Sequence, residues 1–252
     1  MACSALGVFL FAVLSVSFAG ELETRTHTAA QQVAKAASAL AELKGYVASA
    51  YINLQKSVLE AEENASKWTS SAEHEPNPGM RAVHLQFADG ARTHRTNLVQ
   101  IMRVCADIGH LGEEMELDLQ FAELIQTTLR GFAQKQPSAP EISHAREGVT
   151  LLVQRMDLRT KALTYVTDSL VAKIDAAEER YKSFAHLVQD LGNPQDPIRR
   201  WEKAVAQSTV DSIAVERAML RQLASFGAKL VDILLDEQNV VKNQRAAIVA
   251  LH

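Results

Sequence analysis

Apolar residues along this chain recur at alternating three- and four-residue steps, the spacing that lays one stripe down an α-helix. Four segments, roughly 22–72, 78–135, 139–191 and 197–250, carry it. The second is the clearest: Phe87, His94, Ile101, Ile108, Met115, Ala122 and Leu129 fall seven residues apart, with Leu98, Cys105, Gly112 and Leu119 as the companion row. Val33, Ala37, Leu40, Val47, Tyr51, Leu54 and Val58 form the stripe of the first. Val149, Leu152, Met156, Leu163, Val166, Leu170, Ala177, Tyr181 and Phe184 do so in the third, and Ile213, Leu220, Leu223, Leu230, Leu234 and Val241 in the fourth. Gly109 and Gly112 keep the phase from Ile108 to Met115, so a continuous or slightly kinked helix is expected there.

All six prolines sit between these segments, in Pro76-Asn77-Pro78-Gly79, Pro137-Ser138-Ala139-Pro140 and Gly192-Asn193-Pro194-Gln195-Asp196-Pro197. Ser138 and Glu141 have capping-box spacing, Asp196-Pro197 matches an N-cap and first helical position, and Gly192 fits the left-handed residue that closes a helix. Connections this short make successive helices antiparallel. The predicted fold is all-α: an elongated antiparallel bundle of about four long helices with coiled-coil packing, on the order of 70 Å long at about 1.5 Å per residue. Alanine, dense between Thr28 and Ala39, favours helix and lets helices approach closely.

Ahead of the pattern, Leu6 to Leu14 is an apolar run of signal-peptide length, and Ser17-Phe18-Ala19 puts small residues where a signal peptidase reads. Residues 1–20 are therefore expected to direct export, with cleavage after Ala19 or Gly20; an uncleaved anchor is the alternative. Residues 21–252 would form a single domain. The mature chain would retain one cysteine, Cys105, on an apolar seam, which suits a small buried hydrophobe and permits no intrachain disulfide.

A formal net charge of −4, 47% hydrophobic residues and 6% aromatics describe a soluble chain without the basic footprint that nucleic acid or an anionic membrane would require. The eight histidines form no His-x-x-x-His or Glu-x-x-His pair, so no metal ligand set and no cofactor are expected. His94 is read as the one histidine on a core row. Nucleophile elbows and phosphate-cradling glycine loops are missing, and the pairs Glu113-Glu114 and Glu178-Glu179 point in different directions on a helix, as solvated faces do. An enzyme is not expected.

Asn64-Ala65-Ser66 is an N-glycosylation sequon. Lys67 to Met80 is the longest stretch expected to be irregular, and loops at the end of a rigid scaffold carry recognition residues. Trp68, His74, Glu75 and Asn77 are accordingly candidate binding residues, joined by Trp201, which an antiparallel bundle brings to the same end.

An exported, alanine-rich, disulfide-poor chain of heptad-patterned helices resembles the helical surface proteins of trypanosomes: the glutamic acid/alanine-rich and alanine-rich coat proteins and the haptoglobin–haemoglobin receptor. The resemblance implies a bundle at the cell surface, serving as a coat or binding a host macromolecule without catalysis. The end of the chain, Lys242 to His252, departs from that pattern because it offers no small-residue site, spacer and hydrophobic tail for a glycolipid anchor, which leaves membrane attachment open; the sequence also leaves the oligomeric state open. An exchangeable lipid-binding bundle and a pore-forming helical toxin are the alternative functions.

Overall fold

The computed structural model describes residues 2–135, 137–191 and 195–249. Gly192 and Pro194, expected to punctuate the third connection, lie outside the described residues. The four segments are four long helices, α1 (Ala2–His74), α2 (Pro78–Gln134), α3 (Ala139–Asp190) and α4 (Pro197–Val249). No strand occurs among the described residues. The fold is an all-α bundle, and α2 runs unbroken through Gly90, Gly109, Gly112 and Gly131.

Burial follows the seven-residue repeat closely. Both rows of α2 are buried along their length, His84, Ala91, Leu98, Cys105, Gly112, Leu119 and Gln126 in one, Phe87 to Leu129 in the other. In α4 the buried rows are Ala206, Ile213, Leu220, Gly227, Leu234, Val241 and Ile248, and Glu202, Thr209, Glu216, Leu223, Leu230, Glu237 and Gln244. Each helix thus presents a dry seam wide enough to meet more than one neighbour. Ala29, Ala36 and Ala50 occupy one seam of α1, where a small side chain admits close helix approach.

Caps end the helices as the local chemistry requires. Asn77 Oδ1 accepts from the backbone N–H groups of Gly79 (2.9 Å) and Met80 (3.3 Å), with Pro78 as the first residue of α2. The Glu141 carboxylate reaches back to the backbone N–H and hydroxyl of Ser138, both at 2.6 Å, the acceptor half of a capping box. Asp196 Oδ1 lies 3.4 Å from the backbone nitrogen of Ile198 at the start of α4.

The chain forms two compact units, and all four helices contribute to each. Unit 1 comprises Met1–Glu42, Leu111–Thr164 and Ala228–His252; unit 2 comprises Leu43–His110 and Tyr165–Gly227. Within unit 1, Arg25 meets Asn243 and Lys229 meets Glu42, so α1 and α4 are antiparallel. Its core contains Leu22, Val33, Met115, Leu119, Met156, Leu234 and Val241. Within unit 2, Trp68, Phe87, Phe184, Val188, Val210 and Ile213 form an aromatic-rich cluster, with the Trp68 and Phe87 rings stacked 4.7 Å apart.

Gly90 is where that cluster has no spare room, because a Cβ added there would sit 2.1 Å from the Phe184 ring. A buried ring cannot retreat cheaply. Gly90→Ala is expected to destabilise the protein by about 1–3 kcal/mol despite alanine's better helix propensity. Gly109→Ala, with nothing within 4 Å, should stabilise it by up to about 1 kcal/mol. Denaturant titration of the two variants checks both signs.

Candidate functional site

The end of unit 2 where α1 turns into α2 and α4 begins differs from the sequence expectation. α1 continues to His74, leaving only Glu75, Pro76 and Asn77 outside helix between Lys67 and Met80. Trp68 is therefore no loop residue. It is 1% exposed, stacked on Phe87 and set 5.5 Å from the His84 ring, because its place on the 3-4 repeat with Ala61, Ala65 and Ala72 turns it into the core. Glu75 and Asn77 have structural partners: Asn77 caps α2, and the Glu75 carboxylate accepts from the Asn77 N–H (2.9 Å) and from Arg199 (2.8 Å). The Asn77 N–H holds the Glu75 carboxyl below its ordinary range, with Arg199 contributing in the same direction.

His74 is exposed, its Nδ1 2.8 Å from the Ser70 carbonyl oxygen. Trp201 is 44% exposed and stands one helical turn from Ile198, itself 66% exposed, in the first turns of α4. The structure thus keeps His74, Asn77 and Trp201 at an exposed end and removes Trp68 to the interior. The sequon is also less open than expected, since Asn64 is half-buried in mid-helix.

Beneath this end lies an ionic network that ties α2 and α4 to the α1–α2 connection. Arg199 reaches Glu75 of the α1–α2 connection (2.8 Å), Glu202 (2.9 Å) and His84 Nε2 of α2 (3.3 Å), while Glu202 also meets His84 at 2.9 Å. A second layer brings together His94, Glu216 and Arg180: His94 Nδ1 is 3.1 Å from Glu216, Arg180 bonds the other oxygen of Glu216, and His94 Nε2 is 3.3 Å from Ser212 Oγ. His94 is thus a partnered core histidine but not the one such residue, because His84 is equally buried.

Unit 1 repeats the device with different residues. Buried Asp118 pairs with Arg155 and Arg159, Arg159 also holds Glu114 at 2.7 Å, and Gln126 and Gln244 exchange two amide hydrogen bonds at 2.9 and 3.0 Å. Glu114, and Glu178 beside Arg217 and Arg221 in unit 2, are thereby interhelical partners rather than merely solvated acids.

Glu237 breaks the rule that a buried charge has a partner. It is 0% exposed, neither carboxylate oxygen has a hydrogen-bond partner among the described residues, and it borders a cavity of about 10 Å³ with Met115, Asp118, Leu119, Met156, Arg159 and Leu234. Burial pushes its carboxyl up to about 7. Burial likewise raises the Cys105 thiol to about 11, which leaves it protonated and poorly nucleophilic.

The signal for these residues was present in the repeat. His84 and Ala91 continue the companion row of α2 backwards, and one α4 row reads Glu202, Thr209, Glu216, Leu223, Leu230, Glu237, Gln244. A search for apolar residues passes over a core row that is largely polar.

An open groove of about 660 Å³ between α1 and α2 in unit 2 is lined by Glu62, Ser66, Thr69, Glu73, Arg92 and Arg95 among others. Its arginines are already engaged, Arg92 with Thr69 (2.8 Å) and Arg95 with Glu62 (3.3 Å). No group of three or more His, Cys, Asp or Glu among the described residues could hold a metal ion, and no helix among them is long and apolar enough to cross a membrane. Comparison with family models, curated proteins and solved structures gave no match.

An unfolded glutamate ionises near 4.5, whereas folded Glu237 does so near 7, so the acid form is the one the core accepts. Its contribution is intact below pH 4.5, is lost progressively as pH rises to 7, and is flat above, a total of up to about 3 kcal/mol. Glu237→Gln should match the wild type in acid and exceed it in stability at pH 8. Urea midpoints across that range measure the difference.

Arg180→Met should cost about 3–5 kcal/mol because it removes the arginine charge from the buried Glu216 carboxylate and leaves His94 as its neighbour. The triple replacement His94→Leu, Arg180→Met and Glu216→Leu should recover most of that loss. A triple variant as unstable as the single one would show that the network contributes more than mutual neutralisation.

Proposed function

We propose that the chain is an exported, non-enzymatic helical-bundle protein that acts at a cell surface or in extracellular fluid, as a coat or as a receptor for an extracellular or host macromolecule. The observation that carries this reading is the exposed apolar pair Ile198 and Trp201 beside a turn braced by Arg199, Glu75 and Asn77. A large aromatic side chain held on a rigid, polar-rimmed end suits recognition of another macromolecule, for which tryptophan is a common anchor. His74 and the open groove along α1 and α2 are further exposed polar surface of unit 2.

Export is the companion proposal. Leu22 is the first residue of the described core, so cleavage after Ala19 or Gly20 would leave that core intact. The sequon at Asn64 and the resemblance to trypanosome surface bundles fit the same setting. An exchangeable lipid-binding bundle would have to separate helices that meet through the networks of Arg199, Glu216 and Asp118, and would give up the single register those networks impose.

Expression in a secreting host tests the first step: the exported protein should begin at Gly20 or Glu21, and an intact N-terminus would count against cleavage. For the contact region, affinity capture from extracellular fluid should fall sharply in an Ile198→Ala/Trp201→Ala variant whose thermal stability is unchanged. Equal capture would remove this surface from the proposal. Trp68→Ala serves as the contrast, losing about 3–5 kcal/mol of stability from the core.

A further inference from the structure

Unit 1 carries a second exposed apolar surface that the proposed contact region does not use. Leu117 and Leu124 of α2 lie seven residues apart, as do Leu151 and Leu158 of α3, and all four are between 46 and 64% exposed. Two residues separated by two helical turns share one stripe, so each pair forms a short heptad row facing outward. The rows are in register. Arg159 meets Glu114 at 2.7 Å and Asp118 at 3.3 Å, and Arg155 meets Asp118, which sets Leu117 level with Leu158 and, two turns on, Leu124 level with Leu151. Half-buried Phe121 lies between these levels, with the Arg155 guanidinium 5.8 Å from its ring centre.

We propose that this face is where a second copy of the chain binds, forming a two-fold symmetric dimer. Matched antiparallel rows make the surface complementary to itself. A two-fold axis lying in the face and crossing the helices sets α2 against α2 and α3 against α3 of the second copy, antiparallel. Each Leu117 then meets Leu124 of the other copy, and each Leu151 meets Leu158. In such an interface the contact of one residue with another is repeated with the roles exchanged.

Charge at the rim selects the same occupant. The rotation that superposes Leu151 on Leu158 carries exposed Lys161 to within one residue of the level of exposed Glu147 in the second copy, and does so twice. Lys161 pairs with Asp157 at 2.6 Å on its own helix, and Asp157 also accepts from Gln238 of α4 (3.4 Å), so the ammonium lies on the α4 side of the leucine row and exchanges Asp157 for Glu147 of the second copy when the dimer forms. Apolar centre and oppositely charged rim together are the anatomy of a specific protein interface.

Sedimentation velocity of the mature full-length chain, from low micromolar to hundreds of micromolar, tests the proposal. A monomer–dimer equilibrium is expected, and a strict monomer throughout would overturn it. Leu117→Glu/Leu158→Glu should weaken the dimer by about 30-fold or more while helicity and melting temperature hold, the positions being exposed. A dimer unaffected by that change uses another face and overturns the assignment.

Lys161→Glu should weaken association a few-fold, and adding Glu147→Lys should restore it, a readout that does not depend on the leucine variant folding. Failure of the second change to restore association would refute the antiparallel register. In a cysteine version, Leu117→Cys/Leu124→Cys should crosslink between copies under mild oxidation far faster than Leu117→Cys alone. Equal rates would likewise refute it. Buried Cys105 stays out of the reaction.

Discussion

A charged side chain in a dry helical seam has to meet its partner at one level of a neighbouring helix, and this requirement organises the bundle. Leucine seams tolerate a slip of one heptad, because one leucine resembles the next. Glu202 with His84, Glu216 with His94, and Gln244 with Gln126 leave no such freedom: in each unit the meeting of α2 with α4 holds one offset, seen as the 118-residue separation of both His94–Ser212 and Gln126–Gln244. Such pairs need not add net stability, since desolvation offsets much of their attraction. What they supply is an alignment that a wholly apolar row would leave undefined.

That alignment is also what prepares the exposed end. Arg199 works both inward, on His84 and Glu202, and outward, on Glu75 of the connection from α1 to α2. The turn beside Ile198 and Trp201 is consequently tied to core residues of α2 and α4. Asn77 removes the remaining freedom by capping α2 from within the same turn. Recognition on such a surface would incur little ordering cost on binding.

The helices, their breaks at proline and the capping residues Ser138 and Asp196 were legible in the sequence because each rests on local spacing or on chemistry within a few residues. Burial of Cys105 followed from its place in an apolar row. Trp68 was misplaced for a physical reason: the polar run from Thr69 to Glu75 resembles a loop, yet the solvent face of a helix is equally polar, and only the phase from Ala61 through Ala72 shows that the helix continues. His84, Glu202 and Glu216 were hidden because polarity usually marks the outside, and their burial depends on partners on another helix. The matched leucine rows of α2 and α3 needed the interhelical register, which no single segment contains.

Every boundary between the two compact units cuts through a helix, so each unit is assembled from separated pieces of chain, and unit 1 draws its last piece from Ala228 onward. A polypeptide emerging from the ribosome would have made α1, α2 and α3 before the helix that completes either unit existed. Until the final segment arrived, the seams that face α4 would stay uncovered. Neither unit can close its core before the last helix is made, so completion of both awaits the end of synthesis.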